Sequence, residues 1–329
     1  MQTVAVIGGG SWATALIKIL SNHEVVINWW LRNNESVELI KKYRHNPNYL
    51  SDVELDLKKI KATSVIKDAV KDASVIILAV PAAFLMSSLK EIAVNDFINK
   101  KVFSAIKGIV PEHNLIVGEF INRTYHVPFE NIGVITGPCH AEEVAMEKLS
   151  YLTIACQQTV NATELAAILN CRYIKTSVSD DIYGTEYSAV LKNIISIASG
   201  IYHGLGYGDN FQAVLISNAI QEIKKFVDSV HPIQRDINDS AYLGDLLVTA
   251  YSQFSRNRTF GSMIGKGYSV KSAQLEMNMI AEGYYAVKCI HELNKQYKVE
   301  LPICDAVYNV LYEKIAPRLE MKLLTDKLR

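Results

Sequence analysis

Six residues, Gly8-Gly9-Gly10-Ser11-Trp12-Ala13, constrain this chain more than any others. They directly follow an apolar, β-branched run, Thr3-Val4-Ala5-Val6-Ile7, and they open an amphipathic stretch over 12–21. A strand that ends in G-x-G-x-x-A at the start of a helix is the first unit of a doubly wound sheet that holds a dinucleotide. Gly8 permits the tight turn, Gly10 lets the backbone approach a pyrophosphate, and Ala13 keeps the helix close to the sheet. The helix N-terminus supplies free amides and a positive dipole end to the phosphates. An ordinary glycine turn is the alternative, and the placement between strand and helix argues against it.

The rest of the first half continues the alternation. Short apolar runs predict strands over 3–7, 24–30, 73–80, 101–106, 131–136 and 151–156, with helical patterns over 12–21, 36–43 and 84–94 between them. Strands apolar on both faces belong to a parallel sheet covered by helices. Near Ser179 the period changes. Tyr187, Val190, Leu191, Ile194, Ile195 and Ala198 recur at helical spacing, and long helical patterns follow over 213–230, 269–293 and 302–315. The expected architecture is α/β, an N-terminal Rossmann-type doubly wound sheet over 1–180 followed by an all-α C-terminal domain over 181–329. Gly200, Gly204, Gly206 and Gly208 mark either a loop or a close helix–helix approach.

Composition narrows the functional classes. The chain has 329 residues, 49% of them hydrophobic, enough to bury a large core and exclude disorder. Thirty-four Lys and Arg balance thirty-four Asp and Glu. No overall positive field exists to attract nucleic acid or an anionic membrane, so any anion must be met by a local cluster. The five cysteines form no CxxC pair, which argues against a zinc ribbon, thioredoxin-type chemistry or a disulfide framework. The chain opens on a strand with no basic leader and contains no run of 18 apolar residues. A cytoplasmic protein without a membrane span or metal is the expectation.

Several residues stand where chemistry is possible. The second strand ends in Trp29-Trp30-Leu31-Arg32-Asn33-Asn34, without the acid that grips the ribose hydroxyls of NAD. Arg32 can meet a 2′-phosphate, stack on adenine, or stand solvated; the pattern favours NADPH and leaves NADH open. Trp29 and Trp30 face opposite ways in a strand, which puts at least one in the core. Lys107 and Gly137-Pro138-Cys139-His140-Ala141 both follow strand ends, where ligands sit in such sheets. A solvated lysine, a buried small thiol and a structural histidine are the plainer readings of Lys107, Cys139 and His140. Lys192 lies within the apolar helical run Leu191-Lys192-Asn193-Ile194-Ile195. A desolvated lysine titrates near neutrality and suits proton transfer, whereas one at a helix edge would only snorkel. Leu243-Gly244-Asp245 and Thr249 precede the tetrad Ser255-Arg256-Asn257-Arg258, which offers a hydroxyl, two guanidiniums and an amide. Those donors suit a phosphate dianion, with a solvated basic turn as the alternative.

Seven ordered motifs now stand together: GGGSWATAL at 8–16, AVPAAFL at 79–85, AIKGI at 105–109, GPCHAEEVA at 137–145, EYSAVLKNIISIASGIYHGLGYGDN at 186–210, LGDLLVTAYSQFSRNRTFG at 243–261 and IAEG at 280–283. Through them the chain resembles the NAD(P)-dependent glycerol-3-phosphate dehydrogenase family over nearly its whole length. The resemblance implies reversible reduction of dihydroxyacetone phosphate to sn-glycerol 3-phosphate with NADPH or NADH, supplying glycerophospholipid synthesis, in a homodimer. It implies Lys192 as the catalytic acid/base, with Asp245 and Lys107 beside it. Gly8, Gly10, Ser11, Trp12, Arg32, Lys107, Ala141, Arg256, Ile280 and Glu282 would meet the cofactor. Gly137, Cys139, Lys107, Lys192, Asp245, Ser255, Arg256 and Asn257 would meet the substrate. Cys139 stands where members commonly have serine, and a thiol is the poorer hydrogen-bond donor. Two rival readings are another two-domain dehydrogenase, of a hydroxy acid or a different ketone phosphate, and a nucleotide-binding sensor without turnover.

Overall fold

In the computed structural model, residues 2–277 and 280–329 are described. The elements begin β1 (Gln2–Ile7), α1 (Ser11–Leu20), β2 (Val25–Trp30), α2 (Asn34–Tyr43) and β3 (Ile60–Thr63). Next come α3 (Ile66–Lys71), β4 (Val75–Leu78), α4 (Leu85–Ser88) and β5 (Lys101–Ser104). A hairpin, β6 (Ile109–Val110) and β7 (Leu115–Ile116), precedes α5 (Val117–Tyr125), β8 (Ile132–Thr136) and α6 (Ala141–Ala145). The sheet region closes with β9 (Ser150–Cys156), α7 (Thr159–Leu169) and β10 (Ile174–Ser179). Helices follow: α8 (Ile182–Gly204), α9 (Asp209–Val230), α10 (Asp245–Tyr251), α11 (Arg256–Gly265), α12 (Val270–Glu276), α13 (Glu282–Tyr297), α14 (Pro302–Leu311) and α15 (Pro317–Thr325). No helix among the described residues is long and apolar enough to cross a membrane.

The chain divides into two units, the first holding the described residues to Ile106 together with Val117–Ile182. Its strands form one eight-stranded sheet in the order β10-β9-β8-β5-β4-β1-β2-β3. The chain leaves β1 towards β2 and β3 on one side and returns to β4 and β5 on the other, so the switch point lies between β1 and β4. The helix period of α1 and the apolar strands explain the core: Val4, Val6, Leu16, Ile17, Leu20, Ile27 and Trp29 are buried together. Both tryptophans of the pair are buried, not one alone.

Some expectations need correction. The pairing of β8 with β9 is antiparallel, while the other pairings in this sheet are parallel. The connection contains only α6, which at five residues spans about 7.5 Å. The rest of the connection over 137–149 is irregular, so no long crossover helix joins these two strands. The helical pattern over 84–94 yields only the short α4, since Ser87 turns its hydroxyl back onto the carbonyl of Phe84 at 2.9 Å. Strands β3, half polar, and β10, mostly polar, went unpredicted. The expected helix over 269–293 divides into α12 and α13; its residues 278 and 279 lie outside the described residues.

The second unit comprises Lys107–Ile116 and Tyr183–Arg329. It is therefore helical apart from the β6–β7 hairpin, which joins it because Ile109 and Ile116 bury their side chains with Leu191, Ile194 and Val287. The glycine run resolves into two roles. Gly200 and Gly204 on α8 face Gly261 and Gly265 on α11. A Cβ at Gly200 would stand 2.1 Å from the carbonyl oxygen of Arg258, and one at Gly261 would stand 2.1 Å from that of Ile197. Two four-residue glycine spacings thus let the helices touch backbone to backbone. Gly206, at φ +90°, makes the turn that ends α8, and Gly208 is the N-cap of α9.

Candidate active site

In the first unit the glycine turn is held from behind. Trp29 Nε1 donates to the carbonyl of Gly8 at 2.7 Å, Asn46 Nδ2 to that of Gly9 at 3.1 Å, and Thr14 Oγ1 to that of Gly10 at 3.0 Å. Gly10 is the N-cap of α1 and brings no side-chain cap, so the first amides of that helix await an acceptor. Gly8 has φ +140°, and a Cβ there would lie 2.3 Å from the carbonyl of Ala79, just past β4. The turn therefore sits at the switch point, where dinucleotides bind. Around Gly10 nothing lies within 4 Å of an added Cβ, leaving room for a phosphate. Among the described residues the buried indole Nε1 of Trp12 has no hydrogen-bond partner. Open amides, an orphan donor and a glycine cradle fit a dinucleotide pyrophosphate.

Other expected residues of this unit sit at strand ends. Arg32 is exposed just past β2 and forms no ion pair with a described residue. Gly137, at φ +117°, passes so close to β9 that a Cβ would stand 2.7 Å from the carbonyl of Tyr151. Cys139 and Ala141 are buried at the start of α6.

The second unit brings Lys107, Lys192 and Asp245 together. Lys192 comes from the middle of α8, Asp245 from the first turn of α10, and Lys107 from the residue that opens the hairpin segment. Lys192 Nζ pairs with Asp245 Oδ1, and Lys107 Nζ lies 3.4 Å from both Oδ1 and Oδ2. The Lys192 and Asp245 side chains are only 4% and 1% exposed, against 21% for Lys107, so the pair is dry and Lys107 forms its wetter edge. A π-helical turn over Ser240–Gly244 runs straight into α10 and delivers Asp245 at the join. Serines of α8 hold α10 in place: Ser196 Oγ donates to the carbonyl of Thr249 at 2.8 Å and Ser199 Oγ to that of Ala250 at 2.9 Å.

Electrostatics follow from this burial. Loss of solvent is the largest influence on the Lys192 ammonium, and Lys107 adds a like charge; Asp245 opposes both, and the group is pulled down to about 7. Burial works to raise the Asp245 carboxyl, yet the two lysines together hold it below the ordinary carboxylate range. The result is a lysine drawn down towards neutrality next to a carboxylate whose charge the two lysines favour.

The tetrad after α10 is built into the fold as well. Ser255 is the N-cap of α11, accepting from the amide of Arg258 at 3.3 Å, with its hydroxyl 2.8 Å from that of Ser196. Asn257 is buried and hydrogen-bonded to Asn193 and to the amide of Gly283. Arg256 is exposed at the first position of α11 and forms no ion pair with a described residue. Ile280 is half-buried, and Glu282 is the first residue of α13. Sequence reasoning singled out neither Asn193 nor Ser196. A polar amide inside an otherwise apolar helical run is the signal that marks Asn193, since a buried amide must find partners.

Two family models together cover most of the chain. The model for the NAD-dependent glycerol-3-phosphate dehydrogenase N-terminus matches residues 3–162, and that for the C-terminus of the same family matches residues 181–322. The chain belongs to the NAD-dependent glycerol-3-phosphate dehydrogenase family. Among curated relatives, glycerol-3-phosphate dehydrogenase [NAD(P)+] of an Exiguobacterium species is 37% identical over 98% of this chain and 95% of that protein. The protein of the same name from Bacillus subtilis is 34% identical over 99% and 95%. Among solved structures, glycerol-3-phosphate dehydrogenase from Coxiella burnetii superposes with a TM-score of 0.92 at 26% identity, covering 99% of both chains. D-mandelate dehydrogenase shares the fold at a TM-score of 0.61 and 19% identity.

Proposed function

We propose that the protein reduces dihydroxyacetone phosphate to sn-glycerol 3-phosphate, reversibly, with NADPH or NADH, and that Lys192 is its acid/base. The observation that carries this reading is the dry Lys192–Asp245 pair with Lys107 at its edge. When bound, the nicotinamide supplies a hydride to the carbonyl carbon. Lys192 Nζ donates a proton to the carbonyl oxygen as the carbon is reduced, and takes a proton from the alcohol in the reverse direction. Asp245 holds that ammonium in one place. Lys107 stabilises negative charge developing on the oxygen and eases release of the Lys192 proton.

Phosphate recognition is assigned to the start of α11. Ser255 shapes that helix end, Arg256 offers a bidentate guanidinium, and Asn257 retains one Nδ2 hydrogen beyond those it uses internally. Gly137 and Cys139 are assigned to the substrate. Gly8, Gly10, Ser11 and Trp12 would cradle the pyrophosphate, with Ala141, Ile280, Glu282, Lys107 and Arg256 completing the cofactor contacts. Arg32, which pairs with no acid among the described residues, would meet the 2′-phosphate of NADPH. The product is the phosphorylated glycerol on which glycerophospholipids are built. The same reading takes the enzyme to be a cytoplasmic homodimer, which sedimentation and cell fractionation check.

The deciding experiment follows absorbance of the reduced cofactor with dihydroxyacetone phosphate, offered NADPH and NADH in turn. Oxidation of either in step with substrate supports the reading. Turnover only with a hydroxy acid or another ketone phosphate would replace the substrate. Cofactor binding without any turnover would make the protein a sensor.

A further inference from the structure

We propose that Asn193 is a positioning residue that fixes the main chain at Lys107 and so sets where the Lys107 ammonium stands relative to Asp245. The inference rests on the functional reading above and assigns a role that none of the expected site residues fills. Asn193 Nδ2 donates to the carbonyl of Lys107 at 2.6 Å. Asn193 Oδ1 accepts from Asn257 Nδ2 at 3.0 Å, and Asn257 Oδ1 accepts from the amide of Gly283 at 2.9 Å. Both side chains are buried.

The polarity of this relay is dictated from one end. The Gly283 amide can only donate, so Asn257 must turn its oxygen to it and its nitrogen to Asn193. Asn193 must then meet that nitrogen with its own oxygen, which leaves its nitrogen facing the Lys107 carbonyl. Reversing either amide would set two donors or two acceptors against each other inside the protein, at the full cost of unmade buried hydrogen bonds. Helix packing holds the relay together. A Cβ at Gly283 would stand 2.6 Å from the carbonyl of Asn193, so the start of α13 presses directly on α8.

Lys107 needs such an anchor. It is the first residue of the segment that joins the second unit, and its side chain has four torsions to order before Nζ can stand 3.4 Å from both oxygens of Asp245. Pinning its carbonyl removes the main-chain part of that freedom. Asn193 therefore acts on the reaction through Lys107 and through the charge that Lys107 presents to Lys192.

The test uses the full-length enzyme with Asn193→Ala, Asn193→Ser, Lys107→Ala and the corresponding double variants. The serine variant guards against a fold lost to the larger truncation, and a melting temperature is taken for each. The expected result is a kcat lower by about 100-fold, the scale of a misplacement of about 1 Å, with the KM for dihydroxyacetone phosphate little changed. The alkaline limb of the reduction profile should move to higher pH, because a displaced Lys107 presses less on Lys192. In the Lys107→Ala background, adding the Asn193 change should have almost no further effect. Losses that multiply in the double variant would overturn the proposal. So would a raised KM at unchanged kcat, which makes Asn193 a substrate ligand, or a lowered melting temperature with unchanged kinetics. Wild-type enzyme that fails to turn over dihydroxyacetone phosphate sinks the functional reading itself, and this role with it.

Discussion

Lys107 Nζ stands 3.4 Å from each carboxylate oxygen of Asp245, so one carboxylate is shared between two lysines. Asp245 is the influence that keeps a proton on Lys192 against burial and against Lys107. Asp245→Asn should therefore leave Lys192 largely deprotonated at pH 7. Ketone reduction, which needs the proton, falls more than alcohol oxidation, and kcat in both directions checks this. Loss of the buried ion pair should also be read as a lower melting temperature.

Glu222 on α9 caps α14 from a distance, accepting from the amides of Ile303 at 2.9 Å and Cys304 at 3.0 Å. Burial pushes its carboxyl from the ordinary 4.5 up to about 7, against the pull of those two amides. The native state thus binds a proton that the unfolded chain has already lost between those values. Its contribution to stability is fully present below 4.5 and is lost as pH rises through about 7. Denaturant unfolding at several pH values should show this decline in wild type and a flatter profile in Glu222→Gln.

Gly261→Ala sets two effects against each other. Alanine is the better helix former by about 1 kcal/mol. Its Cβ would lie 2.1 Å from the carbonyl of Ile197, which is backbone and cannot move aside. Overpacking of this kind costs about 1–3 kcal/mol, so collision wins and the melting temperature falls. The variant should also lose turnover, since the same contact between α8 and α11 brings Asn257 to Asn193. A melting temperature at or above wild type would mean the helices do not need to touch.

What the sequence revealed followed from locality. The glycine turn, β1, β2 and the helical period from Tyr187 to Ala198 are written in adjacent residues, and each is found where expected. Direction and partnership are not local. Nothing in the apolar run of β9 says that it pairs antiparallel with β8, because strand direction is set by pairing between distant residues. The hairpin after β5 reads as part of the sheet region until Ile109 and Ile116 are seen among the helices. Strands β3 and β10 carry too many polar residues to register as buried strands. At the site, Lys192 and Asp245 stood out because charge inside an apolar pattern needs a reason. Asn193 did not, since an amide beside a lysine is ordinary until its partners are known.

The central claim is that Lys192 carries the transferred proton. The most direct measurement is the pH dependence of kcat for reduction of dihydroxyacetone phosphate, in wild type and in Lys192→Ala. With Lys192 drawn down to about 7, protonated lysine is lost as pH rises through that value. Wild-type reduction should therefore fall above about pH 7, and oxidation should rise. Lys192→Ala should lose about 100- to 10,000-fold in kcat, the usual contribution of a general acid, together with that titration. A Lys192→Ala enzyme that keeps near-full turnover and the same pH profile would contradict the account.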